Sequence, residues 1–126
     1  MMTPLLPVTV VIPTLNEADR IAACLQSVTW AAEALVVDGG SSDETIAVAR
    51  RHGARVITGT FATISDQRNA AIAAAATPWV LALDADERAT DDLRAAIAAM
   101  LDDAPRRPDV EAFRIRMRNQ YLGAPM

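Results

Sequence analysis

Three carboxylates, Asp84, Asp86 and Glu87, fall within four residues directly after the apolar run Trp79-Val80-Leu81-Ala82-Leu83. Five residues without a polar side chain read as a buried strand. In extended backbone, side chains two apart point the same way, so Asp84 and Asp86 are expected to share one side. Two such carboxylates repel unless a cation joins them or one keeps its proton. Hard oxygen ligands of this kind suit Mg²⁺ or Mn²⁺, shared with the phosphates of a substrate. The same acids would also serve simply to charge and cap the N-terminus of the next helix. The surrounding elements have to decide.

Those elements alternate. Residues 8–12 are β-branched and nearly all apolar, so they read as a first, central strand, which Pro13 is expected to end. Thr14, Leu15, Asn16 and Glu17 form a loop, with Asn16 as N-cap of a helix carrying Ile21, Leu25 and Val28 on one face. Leu35-Val36-Val37 is a second strand ending at Asp38, followed by a Gly39-Gly40 turn. Ser41 and Glu44 have capping-box spacing and open a helix with Ile46, Val48 and Ala49; Gly53 closes it, behind Arg50, Arg51 and His52. Residues 55–58 are a short third strand, 59–64 a loop and 65–76 an alanine-rich helix that Thr77-Pro78 breaks. Past the acids, Thr90 caps a helix with Asp91 and Asp92 in its first turn and Leu93, Ile97, Met100 and Leu101 at helical spacing. Residues 104–108 read as a loop. Residues 111–118 alternate as a strand, Phe113, Ile115 and Met117 against Arg114, Arg116 and Arg118.

Strand and helix in alternation predict the α/β class, a parallel sheet with right-handed crossovers. A chain of 126 residues, 52% hydrophobic, can bury one core. Its net charge of −4 argues against a nucleic-acid partner. All twelve basic residues are arginine, which removes any mechanism that needs a lysine. A single cysteine, Cys24, excludes an intrachain disulfide and is expected to pack on the first helix. No apolar stretch approaches the ~20 residues that cross a bilayer. A cytoplasmic protein is the expectation, with peripheral contact at the inner face of the membrane left open.

In this layout three strand ends release polar residues on one edge of the sheet. The first gives Thr14, Asn16 and Glu17; the second Asp38, Ser41, Ser42 and Asp43; the fourth Asp84, Asp86 and Glu87. Acids gathered on one edge raise each other's pKa and cost stability, and a bound cation would relieve that cost. A ligand site is therefore favoured over helix capping alone.

The segments Val11-Ile12-Pro13-Thr14-Leu15-Asn16-Glu17, Val36-Val37-Asp38-Gly39-Gly40-Ser41-Ser42-Asp43-Glu44-Thr45, Gln67-Arg68-Asn69-Ala70-Ala71 and Leu83-Asp84-Ala85-Asp86-Glu87 resemble, in order and spacing, the family 2 glycosyltransferases. Phe113-Arg114-Ile115, Arg118-Asn119 and Tyr121-Leu122-Gly123 resemble the branch that adds glucose to the inner core of bacterial lipopolysaccharide. The resemblance implies a GT-A fold, a Rossmann-like three-layer α/β/α sandwich with a mainly parallel central sheet. It implies inverting transfer from a nucleotide-diphosphate sugar, a UDP-sugar, to a hydroxyl of a glycan or lipid-linked acceptor, assisted by Mg²⁺ or Mn²⁺.

Residue by residue, the resemblance implies that Pro13 and Thr14 line the nucleotide pocket, unless they only end a strand. Glu17 would face the ribose or base, or serve as a first-turn helix charge. Asp38 would hydrogen-bond the uracil ring edge, or cap the next helix. Arg68 would hold the charged part of the nucleotide, or stand exposed on its helix. Asp84 would lie beside ribose and metal, and Asp86 would ligate the metal and so stabilise the leaving group. In the family the general base and acceptor site normally lie in a second half, past the position of Met126. The chain is therefore expected to be one nucleotide-sugar-binding domain over residues 1–126, with the base elsewhere; a nucleotide-binding fragment without transferase activity is the alternative. A phosphatase-like enzyme and a receiver domain both fail on the missing lysine.

Overall fold

The computed structural model describes residues 5–103. They fall in two compact units, one up to Arg88 and one from Ala89 onward. In the first unit the order is β1 (Leu6–Thr14), α1 (Ile21–Gln26), β2 (Ala31–Asp38), α2 (Thr45–Arg51), β3 (Arg55–Thr58), α3 (Ile64–Ala74) and β4 (Trp79–Ala82). The second unit contributes α4 (Asp91–Asp103). The strand expected over 111–118 and the loop before it lie outside the described residues.

All pairings are parallel, and the strand order is β3-β2-β1-β4. The chain moves outward from β1 to β3 and then returns to the far side of β1. Right-handed crossovers consequently place α1 and α2 on one face and α3 on the other, which gives three layers. Val11, Leu35 and Val37 pack with Ala71 of α3. The alternate residues Val10, Ile12 and Val36, also fully buried, point to the opposite face. The expected α/β class and parallel sheet are what this unit has.

Several local expectations fail, each for a physical reason. Pro13 does not end β1, since it lies opposite Val37 in the register. Val11 accepts from the Leu83 N–H at 3.0 Å, so Val11, and Pro13 by alternation, face the β4 side. The β4 pairing stops at Val11–Ala82, so the N–H that Pro13 lacks would have met no ladder partner. The second strand starts at Ala31 rather than Leu35: Ala31, Ala32, Glu33 and Ala34 favour helices, but pairing with β1 overrides propensity. Asn16 is not an N-cap, because α1 begins after Arg20 without a side-chain cap and ends before Val28. Ser41 and Glu44 form no capping box, since the residue before α2 caps with no side chain and the Ser41 hydroxyl is bonded to Asp38. Finally, α3 starts one residue early, capped by Thr63, whose Oγ1 accepts from the Asp66 N–H at 3.0 Å.

Other readings hold. The third strand has the expected bounds. Gly53 follows α2 with φ +83°, a left-handed residue after the helix end. In the second unit Thr90 Oγ1 accepts from the Leu93 N–H at 3.1 Å, the expected cap of α4.

Candidate functional site

The C-terminal ends of β1, β2 and β4 meet where the strand order reverses, the position at which open α/β sheets form a crevice. A cavity of about 520 Å³ opens there. Pro13, Thr14, Leu15 and Glu17 line it from β1, Gly39 from β2, residues 61–64 with Gln67 and Arg68 from α3, and Asp84, Ala85 and Asp86 from β4. Six of the seven residues assigned from the sequence, Pro13, Thr14, Glu17, Arg68, Asp84 and Asp86, line this one cavity. Asp38 is not among the lining residues.

Asp84 and Asp86 do not lie in extended backbone as expected. β4 ends at Ala82, and the Glu87 N–H donates to the Asp84 carbonyl at 2.9 Å, closing a turn. Glu87 Oε1 accepts from the Asp84 N–H at 2.7 Å, so the third acid shapes this turn. Burial pushes the Glu87 carboxyl above its usual range. Arg68 reaches Asp84 from α3, with Nη2 at 2.6 Å from Oδ1, while its buried Nε has no partner. Asp86 is exposed on the cavity rim.

Glu17 is held differently. Its N–H donates to Thr45 Oγ1 at 2.9 Å, and its Oε2 lies 3.6 Å from Arg20. Burial raises the Glu17 carboxyl above the ordinary range; Arg20 opposes that, and Asp86, Asp43 and Asp84 add to it. At Glu17, then, the neighbouring acids add to a shift that burial leads.

Asp38 has no exposed surface. Its Oδ1 accepts from Thr14 Oγ1 at 2.8 Å and Ser41 Oγ at 2.5 Å, and its Oδ2 from the N–H groups of Gly40 at 2.9 Å and Ser41 at 2.7 Å. Burial would raise its pKa, but these four bonds outweigh it and hold the carboxyl below the ordinary value. As placed, it braces the turn after β2 and has no exposed surface to offer a nucleobase.

The sequence reading gave no role to Gln67, which is 5% exposed and donates through Nε2 to the carbonyls of Thr14 at 3.1 Å and Val37 at 2.6 Å. A polar residue four before buried Ala71 on an otherwise apolar helix face was the signal available.

The donor chemistry suits a hard divalent cation completed by a ligand. Among the described residues no three His, Cys, Asp or Glu side chains cluster so as to hold a metal unaided. Asp86 and Asp84 offer oxygens on one cavity wall, and Mg²⁺ or Mn²⁺ is commonly held by one or two carboxylates plus substrate phosphates.

Comparison with known proteins agrees with this architecture. An uncharacterized glycosyltransferase of Mycobacterium tuberculosis is 43% identical over 79 residues, 63% of this chain and 36% of that protein. The lipopolysaccharide core biosynthesis glycosyltransferase LpsC of Rhizobium meliloti is 30% identical over 105 residues, 79% of this chain and 39% of that protein. Glucosyl-3-phosphoglycerate synthase from Mycobacterium tuberculosis, solved in complex with Mn²⁺, uridine diphosphate and glucosyl-3-phosphoglycerate, superposes with a TM-score of 0.59 at 27% identity. That match covers 64% of this chain and 33% of the synthase. The chain thus spans only 33–39% of the length of these three relatives. The fold is the GT-A type, Rossmann-like arrangement. The family model for glycosyl transferase family 2 matches residues 9–120, and the chain belongs to that family.

Proposed function

We propose that this cavity is the donor side of an inverting glycosyltransferase that takes a sugar from a nucleoside diphosphate, UDP-sugars first, to a glycan or lipid-linked hydroxyl. One observation carries the reading: Glu17, Arg68, Asp84 and Asp86, from three separate elements, line a single cavity at the strand switch. Nothing in the packing of the core requires charges to converge there. Arg68, half-buried and paired with Asp84 through Nη2, offers the rest of its guanidinium edge to the diphosphate, a planar donor suited to phosphate oxygens. Pro13 and Thr14 form the floor, Glu17 faces the nucleoside side, and Asp38 braces the turn at the base end from behind.

In the transfer, an acceptor oxygen attacks the anomeric carbon, the bond to the diphosphate breaks, and a base takes the acceptor's proton. A divalent cation held by Asp86, with Asp84, would stabilise the charge that gathers on the departing diphosphate. The chain's own part is to seat and orient the nucleotide. Similarity to LpsC supports a lipopolysaccharide-core acceptor. Among the described residues no helix is long and apolar enough to cross a membrane.

Thermal unfolding with and without Mn²⁺ and UDP tests the reading. A ligand at 100 times its dissociation constant should add about 2.7 kcal/mol. Asp86→Ala should lose the Mn²⁺-dependent part. No shift in the parent chain, or an equal shift in Asp86→Ala, would sink the proposal. Sugar transfer assayed on the 126-residue chain separates a transferase from a module that only binds nucleotide.

A further inference from the structure

The two bonds that Gln67 makes to Thr14 and Val37 use both of its amide protons. They also fix the amide's orientation, because reversing it would set Oε1 against two carbonyl oxygens. Oε1 itself receives no hydrogen bond from the described residues. Nor is it sealed off, since among the described residues the buried side-chain atoms without partners are Glu17 Oε2 and Arg68 Nε. Gln67 lines the cavity beside Gly39, where an added Cβ would stand 3.7 Å from Oε1. A side chain 95% buried that lines the cavity therefore keeps one acceptor, of fixed direction, without a partner among the described residues.

We propose that Gln67 Oε1 reads the base of the bound nucleoside diphosphate by accepting its ring N–H, so that uridine-type bases are selected over cytidine. The proposal rests on the donor-side reading above. Gly39 stands at the end of β2 and Asp84 just past the end of β4, with β1 between them. Two strand spacings separate those ends by about 10 Å. A diphosphate beside Arg68, Asp84 and Asp86 leaves the nucleoside to extend toward the uncharged end, where Gly39 leaves room in front of the amide. Uracil carries N–H at ring position 3 and satisfies the acceptor; cytosine carries a lone pair there and opposes it. Because its amide protons are already committed, Gln67 cannot turn to suit cytosine.

Isothermal titration of the 126-residue chain with UDP and CDP, in Mn²⁺, is the test. UDP should bind roughly 10- to 100-fold more tightly, the range expected when a polar group is left unpaired. In Gln67→Met the ratio should collapse to near unity. Equal affinities in the parent chain, or a ratio that survives in folded Gln67→Met, overturn the proposal. If Gln67→Met does not fold, UDP methylated at N3 decides on the parent chain: binding as tight as UDP overturns it, and a loss of tenfold or more supports it. If neither nucleotide binds, the donor-side reading falls, and this one with it.

Discussion

Replacing Asp38 by alanine should cost more stability than any other single change on the rim of this sheet. The carboxylate has no exposed surface and accepts four hydrogen bonds, at 2.5 to 2.9 Å. Two of the donors are hydroxyls, which can rotate to other acceptors or to water. The other two are the backbone N–H groups of Gly40 and Ser41, which cannot, and Gly40 holds φ +108°. A bond to a charged group contributes about 1.5–3 kcal/mol, so orphaning both N–H groups should cost about 3–6 kcal/mol. Small domains have only about 5–15 kcal/mol in total. Urea unfolding, followed through Trp30 and Trp79 fluorescence, reads this directly. The acid limb gives a second check. The folded carboxyl sits below its unfolded value of about 3.9, so its contribution is complete above that pH and lost as pH falls through the folded value. Asp38→Ala should lack that part of the acid transition. A variant within about 1 kcal/mol of the parent, with an unchanged acid limb, would refute the reasoning.

Three further outcomes are expected. Glu17 titrates above the ordinary glutamate value because of burial, so between the two values the folded state holds the extra proton and stability falls as pH rises. Glu17→Gln should accordingly melt higher than the ligand-free parent at pH 7, with the gain vanishing near pH 4. Cys24, fully buried with its thiol pushed up to about 12, should resist thiol reagents at pH 8 in the folded chain and react fully in urea. Gly53→Ala meets nothing within 4 Å, so its cost of about 1 kcal/mol in urea unfolding should come from backbone strain alone, at φ +83°.

The strands were legible where β-branched residues run together, as in β1 and β3, because such side chains suit a half-buried pleat. Ala31, Ala32, Glu33 and Ala34 were not, since only the neighbouring β1 makes a strand of them. Caps were legible where a hydroxyl precedes a regular helix, as Thr90 does. They failed at Asn16 and Ser41, whose side chains answer to partners about 25 residues away or to a neighbouring carboxylate rather than to their own helix. Spacing on the strand ends brought most of the charged site together. It could not separate Asp38, a brace, from Asp86, an exposed acid, because both are aspartates ending apolar strands. Gln67 escaped for a related reason: the carbonyls that orient it belong to residues 53 and 30 positions away.

The loop after β1 is stitched to the loop after β2. Asn16, at φ 55°, donates its N–H to Ser41 Oγ and accepts from the Ser42 N–H through Oδ1, both at 2.8 Å. Glu17 and Ala18 donate their N–H groups to Thr45 and Asp43. Fixing the backbone of one residue costs about 1–2 kcal/mol of conformational entropy, and here that cost belongs to folding. A ligand seated against this wall finds residues 16–18 already ordered. Its affinity will therefore owe as much to freedom surrendered beforehand as to the contacts it makes.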